Sequence, residues 1–221
     1  MIDVIGETLS VAIGVAVSPV PIAAAIVILF TPKAKTNAPV FMVGWIAGIL
    51  VAGSIVLVIP GMETGGEPST TSGVIKGLLG VLLLVLAVGA WRKRPKPGES
   101  AEAPKWMDTI DSFSPGKSFG MGFLLSGLNP KNLLLVVAAA ATISAAGLAT
   151  GETVTALLIF TLIAASTVII PVVGYLIVGE GADTLLTSAK DWLIQNNSVV
   201  MSVLLLVIGV SLVGDAVEIL L

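Results

Sequence analysis

Six apolar stretches, each about the length of a membrane span, dominate the chain. They run approximately Val4–Phe30, Val40–Pro60, Gly73–Trp91, Phe119–Ala146, Val154–Val178 and Val199–Leu221. A hydrocarbon core about 30 Å thick takes about 20 apolar residues per helix. Inside it every backbone polar group needs a partner from its own segment, which leaves helices as the economical solution. Only 11% of residues are charged and the mean hydropathy is +1.06, against about 25% charged in a soluble domain. The sequence therefore predicts an integral, all-α membrane protein.

Two of the six stretches carry an interruption. The first contains Ser18-Pro19-Val20-Pro21 and the fourth Asn129-Pro130-Lys131-Asn132. Each places a favoured N-cap residue, Ser18 or Asn129, before a proline, the residue preferred at the first position of a helix. A start signal inside a span predicts that the helix breaks there and begins again. At about 1.5 Å per residue, Pro19 is roughly 22 Å from Val4 and Pro130 roughly 16 Å from Phe119, so both breaks fall near mid-membrane.

Pro19 and Pro130 are 111 residues apart. The same offset relates Pro60, read as the end of the second span, to Pro171, read as the end of the fifth. A third pair, Leu82-Leu83-Leu84-Val85 and Leu204-Leu205-Leu206-Val207, is offset by 122, as a longer loop before the last span would produce. With three spans per half, the halves have opposite orientation. The predicted architecture is six transmembrane helices in two inverted three-helix repeats, with helices 1 and 4 broken at the proline motifs. Residues 1–91 form the first repeat, 92–117 a basic cytoplasmic linker and 118–221 the second repeat. Broken helices at matching positions of two halves point to a transporter's binding site.

Charge sets the orientation. Thr31–Pro39 carries Lys33 and Lys35 without an acid, and Arg92–Lys117 carries Arg92, Lys93, Arg94, Lys96, Lys105 and Lys117. Gly61–Ser72 holds only acids, Glu63 and Glu67, and Gly147–Glu152 has no base. Placing basic loops in the cytoplasm puts both termini outside. The start of the chain, Met1-Ile2-Asp3-Val4, lacks a basic n-region, so the first stretch is read as a retained span and not a cleaved signal. Trp106, Ile110 and Phe113, and separately Leu185, Leu186, Ala189, Trp192 and Leu193, form apolar stripes at helical spacing. Both read as short amphipathic helices at the cytoplasmic interface. Lys96-Pro97-Gly98-Glu99-Ser100 reads as a flexible linker, and Trp91-Arg92-Lys93-Arg94 as a topology anchor able to meet anionic headgroups.

The chemistry is expected at the breaks. A helix restarting at mid-membrane exposes unpaired N–H groups carrying about half a positive charge. Two such ends from inverted halves converge. Lys131 adds a full charge, unfavourable beside a helix N-terminus and costly in hydrocarbon. An anionic substrate group would offset that cost. The alternatives are an internal partner, for which Asp215 is nearest in depth, or contact with water in a cytoplasmic cavity. The candidate substrate site is Ser18, Pro19, Pro21, Asn129, Pro130, Lys131 and Asn132. Helix capping alone accounts for Ser18 and Asn129, whereas Asn132 needs a partner in any reading. Gly14, Gly44, Gly48, Gly53, Gly122 and Gly127 read as close-packing positions between helices.

The chain has no cysteine and no histidine, which excludes disulfides, thiol redox chemistry and the commonest metal ligand and proton relay. The centres of the first five spans carry no acid, so neither a divalent-cation site nor a proton-coupling carboxylate is evident. No phosphate-binding glycine loop or nucleophile–base pair appears. No enzyme activity, cofactor, metal or nucleic-acid partner is expected.

With six spans in two inverted halves, Ser18-Pro19-Val20-Pro21 in the first span and Gly127-Leu128-Asn129-Pro130-Lys131-Asn132 in the fourth, the chain resembles the LysE superfamily of exporters. Within it the chain most resembles the GAP family, the peptidoglycolipid- and sulfolipid-addressing proteins of actinobacteria. Thr31-Pro32-Lys33-Ala34-Lys35-Thr36-Asn37-Ala38-Pro39-Val40-Phe41-Met42-Val43-Gly44-Trp45 is similar to that family's segment after span one, although the family usually has arginines at Lys33 and Lys35. The resemblance implies translocation of a lipid or lipid-linked glycan across the bacterial cytoplasmic membrane. It implies membrane lipids and an anionic lipid as partners, and leaves a homodimer open. Two other readings stand beside it: a LysE-type exporter of amino acids or small anionic solutes, and a non-transporting scaffold for envelope-lipid export.

Overall fold

The computed structural model describes residues 1–58, 70–96, 99–101, 109–110 and 112–221. Among these the regular structure is all helical, with α1 Ile2–Ala16, α2 Pro19–Leu29, α3 Ala34–Leu57, α4 Thr70–Arg92, α5 Pro115–Phe123, α6 Pro130–Ala145, α7 Thr150–Val178 and α8 Asp183–Leu220. A π-helical turn, Leu124–Leu128, extends α5 towards α6, and a 3₁₀ turn, Gly179–Ala182, joins α7 to α8. The four helices α3, α4, α7 and α8 are each long and apolar enough to cross a membrane. The pairs α1–α2 and α5–α6 satisfy the same criterion together, bent by 52° and 60° at their breaks. This is a multi-pass membrane protein.

α3 packs on α5, α6 and α7; α1 packs on α6 and α7; α2 packs on α8; and α4 lies along α8. Phe41, Trp45 and Ile49 of α3, Ile26 and Ile28 of α2 and Phe160 of α7 are among the largest fully buried side chains. The opposite faces stay apolar and exposed, as at Val43, Leu78, Leu162, Ile177 and Val207, which suits helices bathed in lipid. The six glycines expected at close contacts all occupy them. A Cβ on Gly44 or Gly122 would overlap the facing backbone at Phe119 or Phe41, and one on Gly48 would overlap the Ser126 hydroxyl. Gly127 faces the Gly48 backbone, Gly14 faces Ile208 and Leu135, and Gly53 faces Leu157. Thus α3 and α5 cross with their backbones nearly touching.

Some expectations change. The stripe Leu185–Leu193 does not form a separate interfacial helix. It is the first part of α8, a single helix of 38 residues, roughly 57 Å long at 1.5 Å per residue and so far longer than the hydrocarbon is thick. Gln195-Asn196-Asn197-Ser198 is polar, but it contains neither glycine nor proline to stop the helix. Pro171 does not end the fifth span either. α7 runs through it to Val178 and ends at Gly179, whose φ of 70° suits glycine. Pro60, the acidic loop residues Glu63 and Glu67, and Trp106 lie outside the described residues. Ile110 is buried, and Phe113 accepts at its carbonyl from Asn37 Nδ2 at 2.9 Å, so this part of the linker is tied to α3. Pro97 and Gly98 are also outside the described residues. The segment after them, expected to be loose, is held to α8: Gln195 donates to the Glu99 carbonyl at 2.9 Å and accepts from the Ala101 amide at 2.8 Å.

Candidate functional site

Both proline motifs break the chain in the same way. Ser18 and Asn129 take extended backbone conformations, with ψ of 107° and 119°, and a proline opens the new helix after each. Asn129 caps in the ordinary manner, its Oδ1 accepting from the Lys131 amide at 3.2 Å. Ser18 does not cap with its side chain, contrary to expectation. An N-cap oxygen accepts from the second or third helical N–H; Pro21 at the third position has none, and the hydroxyl does not take the one at Val20. The Ser18 hydroxyl is put to another use.

That use joins the two breaks. Ser18 Oγ donates to Asn132 Oδ1 at 2.8 Å and accepts from Lys131 Nζ at 2.7 Å. Asn132 Nδ2 donates to the Leu125 carbonyl at 2.8 Å, satisfying an acceptor of the π turn. Ser18 and Asn132 are both 0% exposed. At the first break the Ala16 carbonyl accepts from Thr167 Oγ1 of α7. A carbonyl at each interruption is thus taken up by a side chain, Ala16 by Thr167 and Leu125 by Asn132, as a low-dielectric interior requires.

Lys131 stands at the edge of this junction. Its ammonium contacts Ser18 Oγ and Met201 Sδ of α8, each at 2.7 Å. Among the described residues no carboxylate pairs with it. Asp215, the internal partner considered from sequence, instead pairs with Lys76 at 3.4 Å between α4 and α8. An ammonium has three donors, and two are occupied.

Beside Lys131 lies a cavity of about 370 Å³. Asn129, Pro130 and Lys131 line it from the second break, Lys93 from the end of α4, and Asn197 and Ser198 from α8. Leu86, Met201 and Leu205 supply an apolar wall. Of the seven residues predicted for the site, Asn129, Pro130 and Lys131 therefore line the cavity. Ser18 and Asn132 sit in the buried junction behind it, and Pro19 and Pro21 are buried in the first turn of α2. Sequence reasoning missed Asn197, Ser198 and Met201, and read Lys93 only as an anchor. It also missed Lys76, although a lysine within an apolar span was a visible signal.

Four long apolar helices and two bent pairs, with the breaks hydrogen-bonded to each other beside the Lys131 ammonium, define a polytopic membrane protein. A family model described as Sap, sulfolipid-1-addressing protein, matches residues 8–218, and the chain belongs to that family. Its members are tied by that description to the addressing of an envelope sulfolipid. No curated protein and no solved structure matches the chain.

Proposed function

We propose that this protein translocates an anionic lipid or glycolipid across the bacterial cytoplasmic membrane, with the headgroup held at Lys131 and the N-terminus of α6. The observation that carries the reading is the Lys131 ammonium, bonded to Ser18 and Met201 and, among the described residues, lacking a carboxylate, beside a cavity with both polar and apolar walls. A buried cation without an internal counter-ion is expensive, and an anionic headgroup would supply the missing charge. Pro130 and Leu128, the latter 60% exposed, flank the second break on its outer surface. An apolar flank beside the cavity suits a substrate whose tails stay in the bilayer.

In this reading the two halves are inverted repeats. The contacts support it: α3 meets α5 as α7 meets α1, α2 meets α8 as α6 meets α4, and α4–α8 and α3–α7 pair across the halves. Exchanging the halves carries the first four contacts onto one another and the last two onto themselves. The basic loops face the cytoplasm and both termini the outside, so the Lys93 end of the cavity opens inward.

Reconstitution into liposomes with a fluorescent headgroup-labelled phosphatidylglycerol tests the proposal. Wild-type protein should move the label between leaflets, and Lys131→Met should abolish that movement. A wild-type rate for Lys131→Met would overturn the central role of Lys131. Movement of small anions such as amino acids without lipid would favour the solute-exporter reading. A folded wild-type protein that moves neither would favour a scaffold.

A further inference from the structure

The cavity at Lys131 continues beyond it. A second cavity, of about 550 Å³, shares Lys93, Asn197 and Ser198 with the first and adds Arg94 and the linker residues Glu99 and Ala101. The two adjoin along the line from the basic end of α4 to the second helix break.

Its electrostatics are one-sided. Lys93, Arg94 and Lys131 lie along this line, and among the described residues none of them is ion-paired. Glu99, the acid among the described lining residues, accepts from the Lys96 amide at 3.0 Å, turned to backbone instead of to either cation. Arg94 is fixed in place: its guanidinium lies 4.0 Å from the Trp91 ring centroid and donates to the Trp91 carbonyl at 2.9 Å. The floor is α8, which offers Asn197 and Ser198 as neutral donors. The roof is the linker, pinned by the two Gln195 hydrogen bonds. Cavities of about 300–1,000 Å³ hold small organic ligands, so each compartment suits a headgroup and neither suits a whole two-tailed lipid.

We infer that the Lys93–Arg94–Asn197–Ser198 compartment is a loading site for the tetrahedral oxyanion of a phosphate or sulfate ester on an amphiphile, from which the anion passes to Lys131. The inference rests on the central-site reading above and extends it outward. Lys93 belongs to both compartments, so the anion exchanges Arg94 for Lys131 without leaving a cation. Meanwhile Leu86, Met201 and Leu205 receive the first part of an apolar tail.

Purified full-length protein in a neutral detergent tests this by equilibrium dialysis with three probes: dihexanoyl phosphatidic acid, inorganic phosphate and dihexanoyl phosphatidylcholine. Phosphatidic acid should bind and the zwitterion should not. Lys93→Gln removes one charge-assisted contact, and its phosphatidic acid affinity should fall about tenfold. Lys35→Gln, in the other basic loop, should bind as wild type. Lys93 is exposed, so the thermal unfolding midpoint of Lys93→Gln should match wild type. Wild-type affinity in Lys93→Gln would overturn the loading site, and equal binding of inorganic phosphate would overturn the amphiphile assignment. If Lys93→Gln binds normally while Lys131→Met still blocks translocation, the loading site alone has failed. If Lys131→Met translocates normally, the central reading has failed.

Discussion

Lys131→Met should make the protein more stable while it removes the proposed activity. A lysine at the centre of a membrane helix costs about 3 kcal/mol on insertion scales. Its position one residue past Pro130 adds about 0.5 kcal/mol of repulsion from the helix dipole. Against this stands one charge-assisted hydrogen bond, Lys131 Nζ to Ser18 Oγ at 2.7 Å, which contributes about 2 kcal/mol; the Met201 sulfur is a weak acceptor and adds little. The balance is a net cost of about 1.5 kcal/mol. Methionine keeps most of the side-chain volume, packs beside Met201, and leaves Ser18 still donating to Asn132. For a chain of this size 1 kcal/mol shifts the unfolding midpoint by about 2–4 °C, so the variant should melt about 3–6 °C higher. Thermal unfolding in a neutral detergent, with the liposome assay run on the same preparation, checks both halves. A midpoint lowered by a similar amount would refute the reasoning, because Lys131 would then be a structural strut and its effect on transport would say nothing about substrate.

Other perturbations separate the packing from the site. Gly48→Ala places a Cβ against the Ser126 hydroxyl and the Phe123 carbonyl and should lower stability by about 1–3 kcal/mol, read as a lower midpoint. Asn132→Ala strips the Leu125 carbonyl and the Ser18 hydroxyl of their partner and should cost about 1–3 kcal/mol; equal stability would show that the junction is not what joins the breaks. Lys76→Met leaves Asp215 unpaired between α4 and α8 and should destabilise, while adding Asp215→Leu should recover most of the loss. A double mutant no better than the single would mean that the pair does not couple those helices.

The spans and the breaks were legible because local chemistry fixes them. Apolar length leaves little choice inside a bilayer, and Ser18-Pro19 and Asn129-Pro130 carry the start signal within two residues. The continuity of α8 was not legible: Gln195 to Ser198 reads as a polar loop, yet polarity does not end a helix when no breaker is present. The idle cap at Ser18 was only half legible, since Pro21 withholds one of the two N–H groups a cap could use while Val20 still offers the other. The cavity could not, because Lys93 just past α4, Lys131 of α6 and Asn197 and Ser198 of α8 meet only through packing. The same holds for Lys76 and Asp215, which share no local pattern and lie 139 residues apart.

The two breaks also account for each other. A helix severed in hydrocarbon strands polar groups at both new ends, and the penalty for leaving them unpaired is several kcal/mol each. At the second break Asn132 takes up the Leu125 carbonyl and Asn129 the Lys131 amide, but the Asn132 oxygen is still left wanting a donor. Ser18 supplies it from the first break, where its hydroxyl makes no cap. One interruption alone would bury an unsatisfied amide oxygen or an idle hydroxyl; together they close the account and leave only the Lys131 ammonium under-compensated. The side chains of Ser18, Asn129 and Asn132 all have partners, so the unpaired charge is the feature there that these hydrogen bonds do not explain. That asymmetry is the physical reason to place the substrate at Lys131 and not at Ser18 or Asn132, which were equally prominent in the sequence.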